Sequence, residues 1–125
     1  MDCAGEAMKK LVLILFLIPT LLFAQAIPTS KLIWDQDAPS LTDAQSYTYK
    51  YYADGSTTGV AFTGVTCTGT ASPFTCTVNF PAFTPGNHSI TLTSSNIAGE
   101  SAKSAPLDFT FIVTPSSPRN IRIGG

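Results

Sequence analysis

From Lys31 onward the chain alternates. Leu32 and Trp34 share one phase, and so do Tyr47, Tyr49 and Tyr51, with Thr48 and Lys50 between them. Phe74, Cys76, Val78 and Phe80 alternate with Thr75, Thr77 and Asn79; Ile90 and Leu92 alternate with Thr91 and Thr93. Leu107, Phe109, Phe111 and Val113 alternate with Asp108, Thr110 and Ile112. Successive side chains of a strand point to opposite faces, so a period of two buries one face and wets the other only if the segment is extended. Thr and Ser supply 28 of the 99 residues from Ile27 on, and 16 of these are Thr. A β-branched hydroxyl suits the solvated face of a pleated sheet. No window holds the i, i+3, i+4, i+7 spacing of an amphipathic helix. Asp54-Gly55, Ser72-Pro73, Pro85-Gly86 and Asn96 to Gly99 punctuate the runs with turn formers. Val60 and Phe62, then Val65 and Cys67, read as a return strand after the Asp54-Gly55 hairpin turn. Short strands at this spacing predict an all-β antiparallel sandwich.

The start of the chain reads as an address. Lys9-Lys10 precedes Leu11 to Phe23, an apolar run broken only by Pro19 and Thr20, and Ala24-Gln25-Ala26 follows. A basic segment, a short apolar core and an A-x-A site are the marks of a secretory signal peptide. The run falls well short of the roughly 20 residues that span a bilayer. Residues 1–26 are therefore expected to be the signal, with cleavage after Ala26. Residues 27–114 are expected to form the sandwich, and 115–125 a Pro-rich linker and strand-like tail. Met8-Lys9-Lys10 would serve as a bacterial-looking start by itself. The expected location is secreted: extracellular or periplasmic, with no membrane span in the mature chain.

Five basic and six acidic residues remain after Ala26. That balance excludes a nucleic-acid binder, whose affinity would rest on clustered Lys and Arg. Two cysteines remain, Cys67 and Cys76. An even count in an exported chain reads as a disulfide. The spacing is too wide for C-x-x-C, and no second Cys/His pair completes a zinc set. Both cysteines are in phase with apolar neighbours and should face inward on consecutive strands.

The stretch from Pro85 through Asn96-Ile97-Ala98-Gly99-Glu100-Ser101 resembles the late strands of a fibronectin type III domain, with its Pro-Gly turn and Asn-x-x-Gly-x-Ser segment. Trp34 is similar to that family's B-strand tryptophan, and Tyr47 to Tyr52 to its aromatic C strand. The resemblance covers about residues 30–114. It implies an immunoglobulin-like antiparallel β-sandwich with a short or missing A strand, and Trp34, Tyr49 and Tyr51 as core markers. His88 stands where the family has a corner tyrosine, and the Cys67–Cys76 hairpin is not a general family feature.

No chemistry is expected, and no cofactor. His88 is the only histidine, without a visible nucleophile to serve. Asp35, Asp37 and Asp43 are expected in a solvated loop, short of the oxygen set that a calcium loop needs. Tyr52 points away from the other three tyrosines and is the residue singled out for ligand contact. The function expected is a binding or spacer module for an extracellular protein or surface, with an accessory carbohydrate-binding module as the alternative. The domain is expected to be monomeric. Arg119-Asn120-Ile121-Arg122-Ile123 alternates like a strand behind Pro115-Ser116-Ser117-Pro118 and resembles the opening of a following fibronectin type III domain; a plain tail, and head-to-tail donation to a neighbour's empty A-strand edge, are the other readings open to it.

The staple can be tested directly. Cys67→Ser should lower stability by roughly 2–4 kcal/mol, read from the denaturant midpoint. Neither cysteine should react with an alkylating agent before reduction. Stoichiometric alkylation of both in the non-reduced protein would contradict the pairing.

Overall fold

The computed structural model describes residues 24–125. The apolar run Leu11 to Phe23, on which the signal-peptide reading rests, lies outside the described residues. The strands are β1 (Ala24–Ala26), β2 (Lys31–Gln36), β3 (Thr48–Ala53), β4 (Val60–Ala61), β5 (Thr66–Thr68), β6 (Phe74–Asn79), β7 (Gly86–Asn96), β8 (Gly99–Glu100) and β9 (Leu107–Phe111). One helix, α1 (Leu41–Ser46), joins β2 to β3. The larger sheet has the order β1-β9-β7-β3-β4, with β8 paired to β7, and the smaller has the order β2-β6-β5. Every pairing is antiparallel except β1 with β9. The all-β sandwich expected from the alternation is the architecture found, and its first strand is short.

The phases hold. Leu32, Tyr49, Cys67, Phe74, Cys76, Val78, Phe80, Ile90, Phe109 and Phe111 are all buried. They form two clusters. One joins Ala26, Leu32, Val78, Phe80, Ile90, Phe109 and Phe111; the other joins Ala44, Tyr49, Cys67, Phe74 and Cys76. Trp34, Phe62 and Val65 pack against both. Trp34 meets Tyr49 edge-on at 5.1 Å and stacks on Phe62 at 6.0 Å. Tyr51 packs on Phe62 at 4.9 Å. The three core markers thus sit together at the junction of the clusters.

The disulfide joins Cys67 to Cys76, which face each other across the β5–β6 ladder with Cα atoms 4.0 Å apart. Cys67 is 1% and Cys76 0% exposed. The bond is therefore the centre of the second cluster, not only a clasp at the base of a hairpin. In the chain-entropy picture a loop of this length contributes roughly 2.5–3 kcal/mol.

Three features differ from the sequence reading. The segment expected to be a loop after Trp34 contains α1. Ser40 caps it: its Oγ accepts from the Asp43 N–H at 3.1 Å and donates to Asp43 Oδ2 at 2.9 Å. Six residues are too few to display a helical apolar period, so the segment read as a loop. Asp35 lies in β2 and Asp43 in α1, so the three acids do not share one loop. The return strand is broken in two, because the chain crosses from the larger sheet (β4) to the smaller (β5) between Phe62 and Val65. Finally, Ala24–Ala26 pairs in parallel with Phe109 to Phe111, and Ala26 is 4% exposed in the first cluster. The residues of the A-x-A site are here a strand of the sandwich.

Tyr49 ties these parts together. Its hydroxyl donates to the Ala44 carbonyl of α1 at 2.6 Å and lies 3.8 Å from both disulfide sulfurs. Burial, with Tyr47 beside it, pushes its pKa up to about 12. Tyr49→Phe should cost about 1–2 kcal/mol, because the buried Ala44 carbonyl loses its donor while the ring packing is kept. Urea denaturation measures this, and an unchanged midpoint would show that the bond does not hold α1 to the core.

Candidate binding groove at an open sheet edge

β2 is the edge of the smaller sheet. Its six residues pair with Asn79 to Phe74 on one side, and no described segment pairs with the other. In an antiparallel ladder alternate residues turn their N–H and C=O groups outward, so β2 presents a row of free backbone groups. Leu32, Trp34 and Gln36 face inward, whereas Lys31, Ile33 and Asp35 face out; Ile33 is 63% exposed.

A groove runs inward from the end of this edge. Two adjoining cavities, of about 310 and 340 Å³, separate Trp34–Asp37 from the end of β7 and the segment after β8. Gln36, Asp37, Ser94 and Ser101 line both. Trp34 and Tyr49 belong to one cavity and Tyr47 to the other.

The Asn96–Ser101 motif builds the far wall. Asn96 Oδ1 accepts from the Ala98 N–H at 2.8 Å, and Gly99 has φ +132°, a region that favours glycine. The chain then returns along β7 through hydroxyls. The Ser101 N–H donates to the Ser94 carbonyl at 2.8 Å, while Ser101 Oγ accepts from the Ser94 N–H at 3.0 Å. Ser104 repeats the pattern: its N–H donates to the Leu92 carbonyl at 2.9 Å, and its Oγ accepts from the Leu92 N–H at 2.9 Å. A serine hydroxyl thus replaces a backbone carbonyl twice, and the strand bulges between them. Gln36 Nε2 bridges the groove, donating to the Asp37 carbonyl at 3.0 Å and to Ser94 Oγ at 3.4 Å.

Most polar groups here are already committed to the protein's own hydrogen bonds. The exception is Trp34, whose Nε1 is buried with no acceptor among the described residues. A buried donor without a partner costs roughly 1–3 kcal/mol. What the site offers a ligand is therefore shape and the outward backbone of β2.

Tyr52, singled out from the sequence, is elsewhere, on the outer face of the larger sheet. Its hydroxyl donates to Glu100 Oε2 at 2.5 Å, and Thr93 Oγ1 donates to the same oxygen at 2.8 Å. Lys103 Nζ lies 4.3 Å from the ring centroid, and a Cβ on Gly59 would meet the ring at 2.8 Å. The bond to Glu100 raises the Tyr52 pKa; the donors Tyr52 and Thr93, with Lys50 and Lys103 nearby, lower that of Glu100. Tyr52 is thus a member of a surface network rather than a free platform. Asp37 accepts from Ser72 Oγ at 3.2 Å, and Asp43 serves the α1 cap. Among the described residues no three His, Cys, Asp or Glu side chains are grouped to hold a metal ion. The sequence reading did not find the groove, because Gln36, Ser94, Ser101 and Ser104 are ordinary polar residues until the fold sets them opposite each other.

Comparison with protein-family models, curated proteins and solved structures finds no match for this chain.

His88 bridges β7 to the β3–β4 turn. Nδ1 lies 2.7 Å from Asp54 Oδ2, and Nε2 lies 2.7 Å from the Thr84 carbonyl. Both partners are acceptors, so both nitrogens donate only in the imidazolium form. The bond to Asp54, with that to Thr84, raises the His88 pKa above 6.5. The bond from His88, with the Ser89 N–H, lowers the Asp54 pKa below 3.8. A raised histidine pKa stabilises the fold below about 6.5, and that contribution is lost as pH rises through the folded value. A lowered aspartate pKa stabilises above about 3.8, and that contribution is lost as pH falls through the folded value. The pair should therefore contribute most between these limits, modestly, since solvent reaches it. The melting temperature should fall from pH 6 to pH 8 in the wild type and change less in His88→Gln. Equal slopes in the two proteins would show that the imidazolium contributes nothing.

Proposed function

We propose that the protein is a secreted, non-catalytic binding module of fibronectin type III kind, which holds an extended segment of another extracellular polypeptide chain against β2. The observation that carries this reading is the open six-residue edge beside a groove that contains a buried, unpartnered indole N–H. Addition of a strand to a sheet edge uses main-chain hydrogen bonds for affinity and alternate side chains for specificity, and both are on offer here. Export is supported by the Lys9-Lys10 start, the apolar run and the Cys67–Cys76 bond. Among the described residues no helix is long and apolar enough to cross a membrane. The family reading draws on the Asn96–Ser101 motif and on a strand order that divides β2, β6 and β5 from β9, β7 and β3. The glycan alternative would use Tyr52, whose ring and hydroxyl are already engaged by Lys103, Gly59 and Glu100.

Panning a displayed library of linear peptides against the folded domain tests the reading. Selected peptides should shift the amide resonances of Lys31–Gln36 and Ser101–Ser104. N-methylation of one alternate set of peptide amides should abolish binding, and methylation of the other set should leave it. Peptides that perturb only other surfaces would overturn the proposal. Glycan-array binding that is lost in Tyr52→Ala would move the function to the outer face.

A further inference from the structure

We propose that the segment held at β2 is Arg119–Ile123 of a second copy of this chain, so that domains join head to tail. The inference rests on the reading of β2 as a binding edge and names its occupant.

The tail has the chemistry of a strand without a sheet. Ile121 is 90% and Ile123 101% exposed, and the tail makes no backbone hydrogen bond to the sandwich among the described residues. In an extended tail Arg119, Ile121 and Ile123 share one face, and Asn120 and Arg122 the other. The β2 edge offers an apolar row on its inward face and Asp35, with Lys31 two pairs away, on its outward face. Ile121 and Ile123 would continue the inward row of Leu32 and Trp34, beside the groove that Trp34 lines. Arg122 would then point outward with Ile33 and Asp35, and its opposite charge fits Asp35. Opposite charges on one face of a strand pair attract, and like charges repel. Asn120 has φ +53° in the free chain, so the tail must extend as it docks.

Topology favours a neighbour over the same chain. Phe111 pairs with Ala26, and the Ile27–Ser30 turn leads from there directly into Lys31. The tail therefore leaves the sandwich at the pole where β2 begins, heading away from it. Pro115-Ser116-Ser117-Pro118 is a stiff extended spacer of about 13 Å, which resists the sharp reversal that docking on its own β2 would need. Donor and acceptor are different surfaces, so the contact is heterologous and the series stays open unless its rotation closes a ring.

The test uses sedimentation and light scattering over a concentration series. The wild-type mass should rise with concentration beyond that of a dimer. Asp35→Arg and Arg122→Asp should each hold the protein as a monomer, and the two together should restore assembly. Deletion of residues 118–125 should also give a monomer. Mixed with the Asp35→Arg protein, the deleted chain should form a one-to-one pair that grows no further, since one has only the donor and the other only the edge. A synthetic 118–125 peptide should cap wild-type chains and lower their mass. A wild type that is monomeric throughout, assembly that survives the deletion, or a double charge swap that stays monomeric would each overturn the inference. If library peptides still bind at Lys31–Gln36 while the wild type remains monomeric, the binding edge stands and only the occupant proposed here is wrong.

Discussion

Everything in the sandwich turns on Trp34. It is the large side chain that belongs to both core clusters, edge-on to Tyr49 in one and stacked on Phe62, which also reaches both. Aromatic pairs at such distances contribute about 0.5–1.5 kcal/mol beyond their buried area. More important is where they act. Among the described residues the smaller sheet has three strands, and β2 at its edge is held laterally by β6 alone. Trp34 holds that edge down onto β3 of the larger sheet through Tyr49. Tyr49 in turn anchors α1 by its hydroxyl and covers the disulfide. A chain of contacts therefore runs from the open edge to the cross-link, and the cross-link limits how far the smaller sheet can drift.

The same residue sets the cost of the site. An indole packed on two rings cannot turn to seek a partner for its N–H, so the donor stays unpaired. The opposite wall is held open by the bulge at Ser101–Ser104, whose hydroxyls satisfy β7 in place of carbonyls. A regular strand there would run flat along β7; the bulge instead swings Lys103 over Tyr52 on the outer face. One local irregularity thus shapes the groove on one side of the sheet and fills the other side with the Tyr52–Glu100–Thr93 network.

The alternation made the strands legible because each has one wet face, and a period of two then admits a single register. It placed Tyr49, Cys67, Cys76, Ile90, Phe109 and Phe111 correctly inside. It could not show α1, where a Ser40–Asp43 cap rather than a period decides the conformation. Nor could it show that the chain changes sheets between Phe62 and Val65, since an apolar side chain faces the core from either sheet. Thr93 illustrates the opposite failure. It lies on the nominally polar face, yet it is 4% exposed, because Glu100 and its neighbours close over it. The open edge was foreshadowed differently: the short or missing first strand implied by the resemblance leaves β2 without a neighbour on one side, although no residue of β2 announces it.

Ala24–Ala26 carries the A-x-A pattern expected of a cleavage site and is also a strand of the sandwich. Signal peptidase needs small residues at the first and third of these positions. The sandwich needs a small one at the third, where Ala26 lies against the phenylalanines of β9. Cleavage after Ala26 would withdraw a single buried methyl, about 0.8 kcal/mol of burial, and a few ladder bonds worth roughly 0.5–1.5 kcal/mol each. That is comparable to what the Cys67–Cys76 loop closure contributes, roughly 2.5–3 kcal/mol. The larger apolar side chains of the first cluster, from Leu32 to Phe111, all lie beyond the cut. β1 is thus a strand the fold can lose at small cost, as the proposed export would require.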